Sequence, residues 1–487
     1  MGLSVLARER ARPARIRDWP EAWRLAVATV CLGAFMGQLD ASIVTLTYRS
    51  LGTEFGTSLA EVQWVSLSYL VTVAALLLPA GRLADAHGRK LLYLYGFVVF
   101  GAASAACVLA PSLAALVTLR ALQGAGAGLM QANSVALIAT STPPHRLRAA
   151  LGIQAAAQAA GLALGPTVGG LVISSLGWRW VFLINVPVCM LGVIAGVYLL
   201  PRTRQRTPTP GWDLFGLVLL GTATTTCLLA VSAASGLSLP AWAVIMLLML
   251  AVASSAAFLL RQHRATAPLL DLVLLRSRAV NAGLLGALGG YLVLFGPLVL
   301  IPVVLTAHGY SDLHIGLMLT ALPAGFALAA TSGERLLPPG WTDRTRCTVG
   351  ALLATVVLAA ALAMPLTVAW LIPLLGGLGL ALGIFMPANN SLVMRAMPAR
   401  NAGTGGGLLN MTRGLGTALG VALITVALQQ SMAHLRLVDG PRIALAVLTT
   451  AAVLVLLSTR LSPATPALQS SGMATPRGVP WPAQRGC

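Results

Sequence analysis

The chain has 487 residues, 57% hydrophobic and only 9% charged, with a mean hydropathy of +0.84. That composition excludes a soluble globular fold, and long apolar runs in place of ten-residue alternating segments exclude a transmembrane barrel, leaving an all-α polytopic membrane protein. A net charge of +19 would suggest nucleic acid in a soluble chain, but here the basic residues gather in alternate loops between apolar runs, so no nucleic-acid partner is expected.

Residues 1–23 form an Arg-rich tail suited to lie along anionic lipid headgroups. The first apolar run, 24–46, is too long for a cleaved leader and no A-x-A site follows it. Thirteen more runs of spanning length follow, at 60–80, 91–110, 112–136, 149–174, 180–200, 213–234, 240–261, 279–305, 314–334, 346–364, 367–391, 403–429 and 442–459. Only Pro111 and Ser112 divide the third from the fourth. The tail 461–487, rich in Pro, Ser and Ala, reads as disordered.

With the N-terminus inside, the inner loops and tails carry 26 Lys and Arg and the outer side four, so both termini are expected in the cytoplasm. Arg120 and Arg413 fall inside spans. Thirty-one of the 32 basic residues are Arg, which with the heavy Ala and Gly usage fits a GC-rich bacterial gene and so a bacterial cytoplasmic membrane. The six cysteines are scattered through apolar runs and read as small buried hydrophobes, with no metal site.

The two halves repeat. GRLADAHGRK (81–90) returns in decayed form as GERLLPPGWTDRTR (333–346), QGAGAGL (123–129) as GGLGLALG (376–383), and GLALGPTVGG (161–170) as RGLGTALG (413–420). Spans one to six thus match spans nine to fourteen. The expected units are a six-helix bundle at 24–200, two inserted helices with linkers at 201–278, and a second six-helix bundle at 279–460. Two repeated bundles with a site between them make a transporter architecture.

Asp40 is the one acid deep in an apolar run. A carboxylate there costs roughly 2.5–3.5 kcal/mol on insertion scales, which marks it as functional. Counting about 1.5 Å per residue from each helix start puts Asp40 and Arg120 at similar depth in the outer half, where they can pair directly or through water. Gly161, Gly165 and Gly169 recur every four residues and give the fifth helix a face for close packing, and Pro166 is expected to bend it. Gly81 and Gly88 suit a tight turn. Gln38, Gln123, Gln131, Asn133, Gln154, Gln158, Asn389, Asn390 and Asn410 are cavity candidates, or equally interhelical glue.

LDASIVTLT (39–47), QWVSLSYL (63–70), GRLADAHGRK (81–90), RALQGAGAG (120–128), GLALGPTVGG (161–170), WRWVFLINVP (178–187) and NMTRGLGTALGVA (410–422) occur in this order along nearly the whole chain. Together they resemble the drug:proton antiporters with fourteen spans, a branch of the major facilitator superfamily. The resemblance implies the major-facilitator fold, with Asp40 and Arg120 in proton coupling. It implies a cytoplasmic gate of Gly81, Asp85, Gly88, Arg89 and Lys90, Asp85 meeting the start of the thirteenth helix near Gly403. The GP-x-x-GG form (Gly165, Pro166, Gly169, Gly170, with Gly161 before it) is associated with export. Arg413 takes a place in the second half's gate or cavity. The chain departs from the family at Ala86 and Gly414, where a basic residue and Gln are usual, and Glu334 lies too shallow to match the second acid some members use for cationic drugs.

The expected activity is proton-coupled efflux of an amphiphilic small molecule that is neutral, zwitterionic or weakly charged, by a monomer without cofactor. The alternative is proton-coupled import of a nutrient. A lipid-modifying enzyme would need clustered catalytic residues at one depth, and the six histidines all lie in or beside loops; no phosphate-binding loop supports ATP drive.

Overall fold

A computed structural model describes residues 9–203, 213–234, 239–265, 268–310, 312–338, 340–365, 367–434 and 439–461. The expectation for the tail beyond 461 therefore lies outside the described residues. Among these residues there are no strands, and 14 helices are long and apolar enough to cross a membrane, one for each run read from the sequence. They are α1 (Ala22–Ile43), α2 (Leu59–His87), α3 (Arg89–Val108), α4 (Leu113–Ser141), α5 (Leu147–Leu176), α6 (Asn185–Leu199), α7 (Leu214–Ala234), α8 (Ala241–Arg264), α9 (Arg278–Ala307), α10 (Ala321–Leu336), α11 (Asp343–Ala363), α12 (Val368–Ala396), α13 (Ala402–His434) and α14 (Asp439–Leu461). Short helices precede α6 (Arg179–Leu183) and α10 (Asp312–Leu319) and contribute to the sixth and tenth spans, Arg179–Leu199 and His314–Gly333.

The helix ends follow local chemistry. Ser58 starts α2 with a capping box, its hydroxyl taking the Glu61 N–H while the Glu61 carboxylate takes the Ser58 N–H. Ser112 caps α4 after Pro111, so the least marked break in the sequence is a true helix boundary. The stretch 81–90 differs from a simple turn. Gly81 to His87 are helical, and the chain reverses at Gly88 alone, whose φ of +121° favours glycine.

α1 packs on α5 and α6, and α4 packs on α2 and α3; in the other half α9 packs on α13 and α14, and α12 on α10 and α11. The halves meet where α13 lies against α2 and α4 and where α5 lies against α10 and α12. α7 and α8 pair with each other, α7 touching α2 and α13. Asp213 caps α7 at the Gly216 N–H and ties it to Arg261 and Gln262 of α8. α8 turns Trp242, Met249, Val252 and Leu260 outward, an apolar face that lipid would cover.

The Arg-rich tail does not lie free along the surface throughout. Glu9 is buried and takes hydrogen bonds from Thr203 N and Oγ1, both 2.8 Å, while Arg10 stacks on Tyr198 at 5.1 Å. Composition marked this segment as basic and suited to lipid headgroups, whereas Glu9, one of its three acids, fastens it to the ends of α3 and α6.

Candidate functional site

Asp40, 2% exposed, sits in the last turn of α1 facing α4 and α6. Its Oδ2 takes Arg120 Nη1 at 2.7 Å; its Oδ1 takes Gln123 Nε2 at 3.1 Å and Asn185 Nδ2 at 2.8 Å. Arg120 is fully buried and donates further to the Val65 carbonyl (3.0 Å) and Gln123 Oε1 (2.7 Å). Its guanidinium also lies 4.4 Å from the centre of the Tyr69 ring. Ser104 Oγ accepts from Gln123 Nε2 at 2.7 Å and so closes the network. A buried ion pair is tolerable only when further hydrogen bonds satisfy its spare donors and lone pairs, and this carboxylate has three donors from two other helices. Gln123 thus belongs to the charge cluster and not to a cavity wall. Asn185, Ser104 and Tyr69 were missed, although Asn185 and Tyr69 lie inside quoted motifs, because a lone polar residue in an apolar run does not reveal which face it occupies.

Between the halves lies a cavity of about 620 Å³ walled by α1, α5, α9, α10 and the short helix before α10. Gln38 and Ser42 line it from α1. These residues are four apart and share one face of the helix, whereas Asp40, two residues from each, points about 200° away. The cavity and the ion pair therefore border opposite faces of α1. Gln158, Thr167, Thr320, Tyr291 and Phe295 supply most of the remaining polar and aromatic lining. Behind the wall α5 and α1 are in backbone contact. A Cβ on Gly161 would strike the Phe35 carbonyl, one on Gly165 the Ser42 hydroxyl, and one on Gly169 the side chain of Leu46. Gly170 leaves this seam, having open space where a Cβ would go, and lines the cavity. The side chain of Pro166 lies outside the described set, and α5 continues through its position from Leu147 to Leu176.

At the end carrying the termini the halves are closed. Asp85 Oδ1 takes Gly403 N (2.8 Å) and its Oδ2 takes Thr404 N (2.7 Å) and Thr404 Oγ1 (2.8 Å), so the carboxylate caps the first turn of α13. Arg89 grips the same carboxylate through Nε and Nη2 and reaches across to the Ala399 carbonyl at 2.7 Å, a bridge that needs no basic residue at Ala86. Gly81 and Gly403 permit this approach, since a Cβ on either would strike the other's carbonyl oxygen. Lys90 takes no part. One residue past Arg89 and 100° around α3, it gives its three donors to the carbonyls of Val197, Leu200 and Arg10, sealing the end of α6 against the tail. On the other side of the closed end, Asp343 at the start of α11 pairs with Arg148 of α5 and takes Ser391 Oγ at 2.9 Å, while Arg395 donates to the Pro144 carbonyl at 2.8 Å. This second contact went unread because the repeat has moved its acid from the end of one helix to the start of the next.

A family model described as the Major Facilitator Superfamily matches residues 30–421. The chain belongs to that superfamily. It is 32% identical over 434 residues to the tetracenomycin C resistance and export protein of Streptomyces glaucescens, covering 87% of this chain and 78% of that one. The methylenomycin A resistance protein of Streptomyces coelicolor is 31% identical (85% and 87% covered), and the riboflavin transporter RibZ of Clostridioides difficile 28% (84% and 89%). The human organic anion transporter MFSD10 (TETRAN) superposes with a TM-score of 0.63 at 19% identity, over 91% of this chain and 100% of that one, which shows the fold alone.

Of the remaining polar candidates in this superfamily transporter, only Gln38 and Gln158 reach the cavity. Asn389 donates to the Gly283 carbonyl at 2.8 Å and binds α12 to α9. Asn410 donates to the Gln131 carbonyl at 2.8 Å and binds α13 to α4 across the halves. Asn133 bonds the Leu129 carbonyl in its own helix, and Gln154 and Asn390 are buried away from the cavity. Arg413 is buried behind Tyr291 and not on the wall itself. Glu334 lies in the last turn of α10, at the closed end, with its side chain outside the described set.

Proposed function

We propose that this transporter exports an amphiphilic small molecule from the cytoplasm in exchange for protons moving inward. The observation that carries the reading is a buried Asp40–Arg120 pair on the face of α1 opposite the cavity. A proton taken up by Asp40 cancels its attraction for Arg120 and loosens α1 from α4 and α6. A substrate pressing on Gln38 and Ser42 acts on the same helix from the other side. Proton and substrate then compete through the position of α1, not for one carboxylate. The membrane potential supplies about 2.3 kcal/mol per charge per 100 mV, enough to bias a two-state equilibrium without a cofactor.

The Arg distribution supports a reading with both termini in the cytoplasm of a bacterial cell, on which the closed end is the cytoplasmic gate and the cavity belongs to an outward-facing state of a monomer in the cytoplasmic membrane. The moving bodies are the bundles α1–α6 and α9–α14, with α7 and α8 inserted between them. The names of the Streptomyces relatives support an antibiotic-like cargo and outward direction. The riboflavin transporter keeps import of a metabolite as the second reading.

The test is a reconstituted vesicle with an imposed pH gradient, followed for movement of a fluorescent amphiphile. Antiport requires accumulation on the acidic side in the wild type and none with Asp40→Asn at equal insertion. Movement down the proton gradient would make it a symporter, and undiminished transport by the variant would remove Asp40 from the mechanism.

A further inference from the structure

Behind the cavity wall lies a cation without a counter-ion. Arg413 on α13 is 5% exposed, and among the described residues no carboxylate pairs with it. Its Nη1 donates to Asn410 Oδ1 at 2.9 Å, its guanidinium lies 5.5 Å from the centre of the Tyr291 ring, and its Nε has no acceptor. Arg120, Arg89 and Arg148 by contrast all meet carboxylates. A guanidinium does not shed its proton inside a protein, so burial leaves Arg413 charged, and an uncompensated buried charge is unfavourable until an anion reaches it.

What separates Arg413 from the cavity is Tyr291, a wall residue, whose ring stacks on that of Phe295 at 6.2 Å and 16°. The rest of the lining carries no acidic or basic side chain. The ion pair behind α1 is neutral as a unit, so the net charge bordering the cavity is that of Arg413. At about 620 Å³ the space is of the size that drug-like ligands occupy, with a flat aromatic patch leading to a positive charge.

We propose that the transported substrate is a planar aromatic amphiphile bearing an anionic oxygen, a carboxylate or an acidic phenol. Its rings lie along Tyr291 and Phe295, and Tyr291 turns aside so that the anion replaces the ring as the partner of Arg413. A cationic amphiphile of the same shape meets an uncompensated positive charge and is rejected. This rests on the transport reading above and narrows its substrate from weakly charged amphiphiles in general to acidic ones.

The experiment is equilibrium binding of two dyes with the same three-ring frame, anionic fluorescein and cationic rhodamine 123, to the purified full-length protein in detergent, read by fluorescence polarisation. The wild type is expected to bind fluorescein about tenfold tighter or better, the scale of one charge-assisted hydrogen bond. Arg413→Gln should abolish that preference and Arg413→Lys retain most of it. A merely structural arginine would change both affinities together. Should Arg413→Gln not fold, displacement of fluorescein from the wild type by its neutral methyl ether methyl ester makes the same comparison, the ionised dye binding tighter. Equal affinities in the wild type, a preference unchanged in Arg413→Gln, or no binding of either dye would overturn the proposal. No gradient is involved, so a failure of proton exchange in vesicles would sink the transport reading and leave this ratio standing, whereas equal dye affinities would sink this inference alone.

Discussion

Arg120 in α4 and Arg413 in α13 are both buried guanidiniums, one in each half, and their surroundings differ in kind. Arg120 has a carboxylate, a backbone carbonyl and a Gln side chain from its own half. Arg413 has an Asn one turn away and an aromatic face. The closed end repeats the contrast. Asp85 takes five donors, two of them backbone N–H groups of α13, while Asp343 is held by the side chains of Arg148, Ser391 and Arg395. The first half pairs its intramembrane arginine internally and sends Asp85 to three donors of α13 across the gap, two of them backbone. The second half leaves Arg413 without an anion among the described residues and holds Asp343 by Arg148 across the gap and by Ser391 and Arg395 of its own α12. The two bundles of one repeat therefore differ, one keeping a buried ion pair and the other a buried charge with no anion among the described residues.

The sharpest way to break this comparison is to remove one charge from each half. Asp40→Leu leaves Arg120 buried without its anion and is expected to cost about 3–5 kcal/mol, seen as a lower melting temperature, with Asp40→Leu/Arg120→Met recovering most of it. Arg413→Leu, having no anion to strand, is expected to stay within about 1 kcal/mol of the wild type. Equal losses would erase the distinction.

Next come the glycines of the closed end. Gly403→Val places side-chain atoms against the Gly81 carbonyl and should destabilise the closed end by about 1–3 kcal/mol, widening distances between spin labels on its two sides. Gly414→Ala, with open space around it, should leave them unchanged.

Smaller effects compare the two acids. Asp85→Asn should shift the same distances further than Asp343→Asn, because charge-assisted bonds from fixed amides are worth about 1.5–3 kcal/mol and partly exposed ion pairs about 0–1. The Asp343 contacts should also weaken with salt, since the Arg395 side chain is 46% exposed. The smallest effect belongs to Lys90→Met, which should speed tryptic cleavage at Arg10 without moving the closed end.

The helices were legible because spanning length and hydropathy are one-dimensional properties. The meeting of Asp40 and Arg120 was legible because depth can be counted along a helix. Rotation about the helix was harder. Gln123 and Gln38 look alike in the sequence, and only the neighbouring helices decide that one joins an ion pair and the other a cavity. Lys90 was grouped with Arg89 by adjacency, although one residue of helix turns it to another partner. Asp343 escaped because the second repeat keeps a contact between the halves while shifting its acid, and Glu9 because composition describes a tail and not which of its three acids is buried.

α1 stands between the cavity and the ion pair, pressed against the glycine seam of α5. That partition has a consequence for how such a protein can change. Residues on the cavity side, including Gln38, Ser42 and the walls of α9 and α10, can be replaced one at a time to admit new molecules while the buried ion pair on the other face stays intact. Under selection for a new cargo, tolerated substitutions should accumulate on that face of α1 and skip Asp40, so that on the proposed exchange one energy source serves a drifting range of molecules.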